Sequence, residues 1–255
     1  MEIFDIQKNL KAAGINPGDT LMIHGDAIVA AQLLSTPREL RLDTMLNEII
    51  DYLTFEGTLI VPSFSYSFTR NETFNVDSSE GRVGLFSEAF RKKFPNARTM
   101  HPIFSVVVIG KYKDLYLNTT IEDCFGEGTV FDLLYKQDAK LMNLGCDLML
   151  TYTHYVEQKF GVTYRYFKEF NGNIINKKNY LNKVRCRYYV GDLSIRYSLN
   201  LKKMKETLLS RDAMRVVPFE RVASYTVSAK SYFQIATEML HDNQFSLIDE
   251  GCYDK

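Results

Sequence analysis

The sequence predicts an α/β fold with a central, largely parallel or mixed β-sheet flanked by helices, and an antiparallel β arm in the C-terminal third. Short apolar runs that end at glycine, proline or acidic residues alternate with segments of helical periodicity through the first two thirds of the chain. Strand, helix and strand follow one another between residues 20 and 62, which predicts a right-handed parallel unit. After residue 170 alternating polar and apolar residues indicate antiparallel strands.

The elements follow from periodicity and from turn residues. Asp5 and Gly14 are suited to begin and end a first short helix. Apolar residues at helical spacing predict later helices at residues 41–52, 87–94, 203–209 and 229–241. Runs rich in β-branched residues predict strands at residues 20–24, 57–62, 104–109, 140–144, 216–219 and 224–227. Residues 184–195 are predicted to form a hairpin that turns at Gly191-Asp192.

Length and composition favour one large domain. With 255 residues, of which 45% are hydrophobic, we expect a single domain over residues 1–255. The main sheet and the active site are expected in residues 1–170, and the β arm and C-terminal helices in residues 171–255. Lysine plus arginine and aspartate plus glutamate number 31 each, so the overall charge predicts neither nucleic-acid binding nor membrane binding.

The cysteines and the chain start bear on the compartment. Cysteine pairs at C-x-x-C spacing do not occur, which favours reduced thiols over a zinc ribbon or a disulfide framework. The N-terminal residues lack the pattern of a secretory signal, and no apolar run has the length of a membrane span. We therefore expect a soluble, cytoplasmic protein.

Two loops after predicted strands are candidate binding elements. In the turn His24-Gly25-Asp26, the order strand, glycine, helix aims backbone N–H groups at a phosphate or carboxylate, although an ordinary strand-to-helix corner has the same pattern. The polar and aromatic segment 63–82, which includes Tyr66, either stacks on a sugar or base or folds onto its own aromatic side chains. If the four strands predicted before residue 145 run parallel, the turns that follow them share one edge of the sheet, these loops included.

His154 and Glu157 form the strongest candidate for catalysis. They are three residues apart in a predicted helix and so share a face, where the carboxylate can orient the imidazole and leave its other nitrogen to take a proton. An ordinary surface pair is the alternative. Cys146 is either a nucleophile with His154 as its base or a small buried residue at a strand end. A zinc site is disfavoured because H-x-x-E lacks further ligands at the usual spacing.

Five successive segments resemble the motifs of the aminoglycoside N3-acetyltransferase family, in the same order. They are residues 18–27, 57–66, 83–111, 125–147 and 152–166. The most specific parts are Arg98-x-x-His101-Pro-x-x-Ser105, followed by a valine-rich strand, and the later L-G followed by H-x-x-E. The resemblance covers residues 18–167.

The resemblance implies an enzyme that transfers an acyl group from acyl-coenzyme A to an amine on a sugar, within a ternary complex and without a metal. By position, His154 corresponds to the catalytic base, with Glu157 beside it. Residues at the positions where the family holds coenzyme A are His24, Gly25, Asp26, Arg98, His101 and Ser105. The implied partners are small molecules, with no nucleic acid or membrane, and a homo-oligomer is compatible with the resemblance.

Departures from the family pattern bear on the acceptor. Gly25-Asp26 replaces the usual Ser-Ser, and the loop after Gly145 is short. These changes and nearby basic residues, which suit a diphosphate, predict a dTDP-linked amino dideoxy sugar of surface polysaccharide (O-antigen or capsule) synthesis as acceptor. Predicted acceptor contacts are Tyr66, Cys146, Asp147, Tyr152 and Arg165. The alternatives are an aminoglycoside 3-N-acetyltransferase and a non-catalytic protein that binds coenzyme A or a sugar.

Overall fold

The computed structural model describes residues 5–148, 151–194, 197–219 and 222–249. The α-helices in these ranges are α1 (Ile6–Ala12), α2 (Arg41–Leu53), α3 (Leu85–Lys93), α4 (Lys113–Leu117), α5 (Val130–Lys136), α6 (Tyr152–Phe160), α7 (Leu201–Ser210) and α8 (Ala229–Asp242). The strands are β1 (Thr20–Gly25), β2 (Thr58–Pro62), β3 (Phe74–Asn75), β4 (Val106–Gly110), β5 (Lys140–Leu144), β6 (Arg165–Ile175), β7 (Leu181–Gly191), β8 (Met214–Phe219) and β9 (Val222–Ser228).

The main sheet is mixed and has six strands in the order β4-β2-β1-β5-β9-β8. β1 pairs in parallel with both β2 and β5, whereas the other pairings are antiparallel. The predicted α/β class is therefore confirmed. The expectation that all four early strands end at one edge is wrong, because β4 runs antiparallel to β2 and Gly110 lies opposite Thr58, at the start of β2. The chain that precedes β4, not the turn after it, lies at the edge where β1, β2 and β5 end.

Each face of the sheet carries its own apolar core, because successive side chains of a strand point to opposite faces. Leu21 and Ile23 of β1 pack with residues from α1, α2 and α3 on one face. Met22 packs on the other face with residues from α5, α6 and α8. The central strands are thus covered on both sides, which explains their nearly continuous apolar sequences.

The arm is an antiparallel hairpin of β6 and β7, to which β3 adds in parallel. The predicted turn at Gly191-Asp192 is wrong, because Gly191 pairs with Arg165 as the last residue of β7. The turn lies at residues 176–180, where the side-chain oxygen of Asn176 accepts hydrogen bonds from the backbone N–H groups of Lys178 and Tyr180. The Asn176 side chain thus satisfies backbone N–H groups in the turn that have no strand partner.

The chain beyond the arm returns to the main sheet. β9 pairs with β5, β8 pairs with β9, and α8 packs on α6. The predicted strands and helix of this region are confirmed, and they complete the sheet that the earlier residues begin. None of the helices in the described part of the chain combines the length and the apolar character needed to span a bilayer.

Candidate active site

The parallel strands β1 and β5 end side by side and bring His24 and Cys146 together. His24 pairs with Asn143 in the strand register, and the thiol of Cys146 donates to the backbone oxygen of His24 at 3.4 Å. Asp26 accepts from the N–H of Ile28 and begins the next turn of 3₁₀ helix. A side chain at Gly25 would meet the ring of Phe86 at 2.8 Å, so glycine is required where this turn crosses α3.

His24 carries an unsatisfied nitrogen. Its Nε2 is buried and has no hydrogen-bond partner among the described residues, and its ring lies edge-on to Phe64 with 6.2 Å between centroids. Burial lowers the pKa of His24 to about 4, so the imidazole is neutral at physiological pH. A buried polar atom without a partner at a sheet edge is a candidate for contact with a ligand.

The second histidine belongs to a buried network at the start of the arm. Nδ1 of His154 lies 2.7 Å from Oε2 of Glu157, one turn further along α6. Arg165, the first residue of β6, places Nη2 at 2.9 Å from the same imidazole nitrogen and Nε at 2.9 Å from the same carboxylate oxygen. The hydroxyl of Tyr164 donates to Oε1 of Glu157 at 2.9 Å. The carboxylate is completely buried, whereas the His154 side chain keeps 18% of its exposure.

The contacts of Nδ1 favour a proton on that nitrogen of His154. Oε2 of Glu157 can only accept and is the nearer partner at 2.7 Å, whereas Nη2 of Arg165 can only donate and lies at 2.9 Å, so Nδ1–H donates to the carboxylate and the Arg165 contact is electrostatic. The lone pair of the neutral imidazole then lies on Nε2, which makes no hydrogen bond to the described residues. This is the tautomer that a general base requires.

The protonation states fit the same role. Burial lowers the pKa of His154, and the Arg165 charge lowers it further against the opposing effect of Glu157. Burial raises the pKa of Glu157, but its contacts with His154, Arg165 and Tyr164 outweigh this effect and the pKa is lowered. The resting pair is therefore a neutral imidazole and an ionised carboxylate.

A wall of aromatic rings connects the two histidines. Neighbouring centroids along it are 6.2 Å apart for His24 and Phe64, 5.1 Å for Phe64 and Phe104, 5.0 Å for Phe104 and Phe125, and 5.8 Å for Phe125 and His154. The half-buried Tyr66 lies on this wall, with a backbone φ of +54° that is unusual for a side chain of its size. An apolar wall beside both imidazoles limits water where protons would move.

Three of the residues predicted to contact the cosubstrate, Arg98, Ser105 and His101, are buried and hydrogen-bonded within the protein. The Arg98 side chain is 1% exposed, donates to the backbone oxygen of Ser63 at 2.8 Å and contacts the Ser105 hydroxyl at 3.2 Å. It also donates to the backbone oxygens of Val76 and Ser79. Arg98 therefore fastens the segment after β2 to the chain before β4. This position argues against direct contact of Arg98 or Ser105 with a cosubstrate.

His101 lies in a buried cluster with Cys124 and Cys186, whose ligand atoms are within 4.8 Å of one another. Its Nδ1 accepts from the N–H groups of Ile103 and Phe104 at 3.2 and 2.9 Å, so the ring proton must be on Nε2. That nitrogen then has no lone pair for a metal, and a metal-bound histidine normally donates from its other nitrogen. The hydrogen bonds thus disfavour a metal at this cluster, and burial argues against direct cosubstrate contact.

The predicted acceptor contacts have different positions. Tyr152 is buried against Tyr155 and Tyr232, 5.3 and 5.8 Å between centroids, which argues against contact with a substrate. Cys146 is half-buried, and burial raises the pKa of its thiol, which disfavours a thiolate nucleophile. Asp147 is exposed beside it.

Four of the six basic residues that suggested a diphosphate have acidic partners; the six are Arg70, Arg82, Arg165, Lys168, Arg185 and Arg187. The pairs are Arg70 with Glu72, Arg165 with Glu157, Arg185 with Glu169, and Arg187 with Asp123. The Arg165 side chain is 6% exposed, so it faces the His154 network and not solvent. Its predicted contact with a substrate phosphate is not supported by this position.

Two neighbours of His154 were not predicted from the sequence. Tyr164 directly precedes Arg165 and holds the second oxygen of Glu157. Phe125 packs edge-on against the imidazole from a loop 29 positions earlier in the chain. Tyr164 could have been identified from its position next to Arg165 in the sequence. Phe125 could not, because no neighbouring residue indicates its contact with His154.

Comparison with known proteins identifies relatives of the whole arrangement. The sequence profile described as aminoglycoside 3-N-acetyltransferase matches residues 28–241. The curated SPbeta prophage-derived aminoglycoside N(3')-acetyltransferase-like protein YokD of Bacillus subtilis (strain 168) is 25% identical over 175 residues. That match spans 56% of this chain and 59% of the relative, less than two thirds of its length.

Solved structures share the fold at low sequence identity. The crystal structure of YokD from Bacillus subtilis has a TM-score of 0.76 at 20% identity and covers 94% of this chain and 93% of its own. Aminoglycoside acetyltransferase AAC(3)-Xa has a TM-score of 0.78 at 19% identity, with 93% and 91% covered. AAC-IIIb, solved as a binary complex with CoASH, has a TM-score of 0.77 at 18% identity, with 93% and 95% covered.

Proposed function

The chain belongs to the aminoglycoside 3-N-acetyltransferase family, and on this premise we propose that it is a coenzyme A-dependent N-acyltransferase with His154 as its general base. The observation that carries the proposal is the His154–Glu157 contact of 2.7 Å, which leaves Nε2 with its lone pair and without a partner among the described residues. A neutral imidazole that is held by a buried carboxylate can remove a proton from an amine near neutral pH.

His154 takes the proton from the acceptor amine at Nε2 while the amine nitrogen attacks. The hydrogen bond from Nδ1–H to Glu157 holds the ring in place while the imidazolium forms, and the carboxylate stays ionised. When bound, acyl-coenzyme A supplies the thioester, whose C–S bond breaks as the new C–N bond forms. His154 then releases the proton from Nε2 to the departing sulfur, which restores the neutral base. The aromatic wall keeps water from competing with the amine.

The turn at the end of β1 fits the thioester end of the cosubstrate. His24 offers a buried Nε2 without a partner among the described residues, and the missing Cβ of Gly25 lets the turn pack against Phe86 of α3. A solved relative, AAC-IIIb, was obtained with CoASH, which supports coenzyme A as the carrier. Arg98, His101 and Ser105 support the neighbouring loop from inside the protein. His24 and Gly25 are therefore the proposed cosubstrate residues of this chain, whereas the exposed carboxylate of Asp26 is assigned to the acceptor.

An aminoglycoside is the acceptor with the better support. The matching family and a relative solved with sisomicin point to this class. Asp26 and Asp147 are both exposed at the edge, and both raise the pKa of the Cys146 thiol between them. Two carboxylates at this edge suit a polycationic sugar, whereas most of the arginines that suggested a diphosphate have acidic partners.

A dTDP-linked amino dideoxy sugar is the second candidate. The observation in its favour is the replacement of Ser-Ser by Gly25-Asp26, together with the short loop after Gly145. Both changes are at the edge where an acceptor would enter. In this case the acyl group is acetyl or a short hydroxyacyl group, and the product would be a surface-polysaccharide sugar.

A thiol-release assay tests the activity and the acceptor together. Acetyl-coenzyme A and a hydroxyacyl-coenzyme A are each offered with a panel of aminoglycosides and dTDP-linked amino sugars. We expect release with aminoglycosides. Release with nucleotide sugars only would favour the second candidate, and no release with any amine would favour a non-catalytic binding protein.

His154→Ala tests the base, and we expect at least a 100-fold loss of kcat, as removal of a general base typically causes. His241→Ala is the matched control, because His241 lies at the exposed end of α8 against Phe160. Unchanged turnover in His154→Ala would refute the assignment. An equal loss in both variants would indicate a general effect of the substitutions.

A further inference from the structure

Arg165 is built into the network of the proposed base. Its guanidinium lies between α6 and the arm, where Nη2 is 2.9 Å from Nδ1 of His154 and Nε is 2.9 Å from Oε2 of Glu157. Nη1 donates to the backbone oxygen of Tyr189 at 3.3 Å. The third face of the group lies 6.0 Å from the centroid of the Tyr197 ring. Its side chain is therefore enclosed by protein on every side that these contacts define.

We propose that Arg165 is a positioning residue that balances the charge of Glu157, so that His154 waits for the acceptor as a neutral imidazole. The inference deepens the proposed function and rests on it, because a neutral imidazole matters only if His154 is the base. It also replaces the expected contact of Arg165 with a substrate phosphate by a role inside the protein.

The physical argument begins with what Glu157 would do without a cation nearby. A buried carboxylate 2.7 Å from an imidazole attracts a second proton to the ring, because an imidazolium–carboxylate pair is favourable where water is excluded. The carboxylate would therefore raise the pKa of His154 against the opposing effect of burial. A larger share of the rings would then be protonated near neutral pH and unable to accept a proton from an amine.

Arg165 cancels this attraction at nearly the same range. The negative oxygen is 2.7 Å and the positive nitrogen 2.9 Å from Nδ1, so their effects on a proton arriving at the ring have opposite sign and similar size. The lowered pKa of His154, with burial as the largest cause and Arg165 next, agrees with this balance. Glu157 thus orients the imidazole without charging it.

Among the described residues, the phenols around the network supply no competing charge. Tyr164, beside Arg165, and Tyr188, on β7, have pKa values that burial raises above the ordinary range, so both phenols are neutral. The phenol of Tyr197 faces the guanidinium from the chain beyond the arm and donates to the backbone oxygen of Tyr164 at 3.2 Å. Arg165 is therefore the charge whose removal would change the state of His154.

Substitution of Arg165 separates this role from substrate binding. Arg165→Met removes the charge and keeps much of the packing, whereas Arg165→Lys keeps a charge without the guanidinium fork. We expect Arg165→Met to move the acidic limb of kcat/KM at least one pH unit higher. At a pH below the acidic limbs of both the wild type and Arg165→Met, the variant's kcat/KM should be at least tenfold lower than that of the wild type. At high pH the two values should be similar. In Arg165→Lys the limb should remain near that of the wild type.

NMR titration of the imidazole in the substrate-free protein gives a readout that does not depend on turnover. The His154 signal is identified by its disappearance in His154→Gln. Arg165→Met should raise the His154 pKa by the same amount as the limb, Glu157→Gln should lower it, and the double variant should return it towards the wild-type value. Circular dichroism checks that each variant is folded. If Arg165→Met alone does not fold, the double variant with Glu157→Gln still gives a result, because it leaves no unpaired buried carboxylate.

The outcomes distinguish this inference from the proposed function. An unchanged His154 titration in Arg165→Met would overturn the charge-balance role, whatever the enzyme's activity. A raised KM for either substrate with an unchanged acidic limb would also overturn it and assign Arg165 to substrate binding. Shifted titrations in a protein that transfers no acyl group would leave the electrostatic balance standing and refute the proposed function.

Discussion

Substitution of Gly145, the residue directly after β5, tests how tightly the end of this strand packs on Val29. The backbone φ of Gly145 is +72°, and an added Cβ would lie 2.2 Å from Cγ2 of the buried Val29. Gly145→Ala therefore has two costs: about 1–2 kcal/mol for a left-handed backbone at a residue with a side chain, and about 1–3 kcal/mol for overpacking against Val29. Gly161, which ends α6, is the matched control, because its φ is +81° but nothing lies within 4 Å of the added atom.

Urea unfolding of the two variants separates the costs. Gly161→Ala should lose about 1–2 kcal/mol of the free energy of unfolding, and Gly145→Ala about 2–5 kcal/mol. In Val29→Ala the obstructing methyl groups are absent, so adding Gly145→Ala to it should cost at least about 1 kcal/mol less than in the wild type. Equal losses for the two glycines, or strict additivity with Val29→Ala, would refute the packing of this strand end on Val29.

Three further predictions concern the site. Cys146→Ser should keep kcat within about threefold of the wild type, because burial raises the thiol pKa and direct transfer needs no nucleophile; a lasting acylated Cys146 peptide in mass spectrometry would contradict this. The pKa of His154 in the substrate-free protein should lie below its ordinary 6.5, because burial and the Arg165 charge lower it; an NMR titration of the imidazole with a midpoint above pH 7 would oppose the neutral resting state. Arg98→Met should lower the free energy of unfolding by about 3 kcal/mol or more, because three backbone oxygens lose a charged donor. The KM for acyl-coenzyme A should stay unchanged. A raised KM with normal stability would instead indicate that Arg98 contacts the cosubstrate.

The balance of acids and bases at the sheet edge changes how the acceptor is understood. Basic residues that are close in sequence to the candidate site looked suited to a diphosphate. In the folded chain Arg187 is held by Asp123 and Arg165 by Glu157, whereas Asp26 and Asp147 stay exposed beside Cys146. Counting charges in a sequence overlooks such pairing, because the partners come from remote positions.

Local patterns were sufficient for much of the fold and for the His154–Glu157 contact of the candidate site. Apolar runs and helical periodicity located the strands and helices of the main sheet, because both depend on residues that are neighbours in sequence. The His154–Glu157 pair was predictable for the same reason, since a spacing of three places two side chains on one face of a helix. The His24 turn was predictable because a strand that ends at glycine marks a sheet edge.

The remaining features depend on contacts between distant parts of the chain. The direction of β4 is determined by its pairing with β2, and an apolar run reads the same for either direction. Arg98 and Arg165 have the composition of ligand-binding residues, yet each is buried against groups that the sequence places elsewhere: Ser63 for Arg98, and the α6 pair for Arg165. Whether an arginine meets a substrate or a buried carboxylate depends on which surfaces the folded chain covers, and that information is spread over the whole sequence.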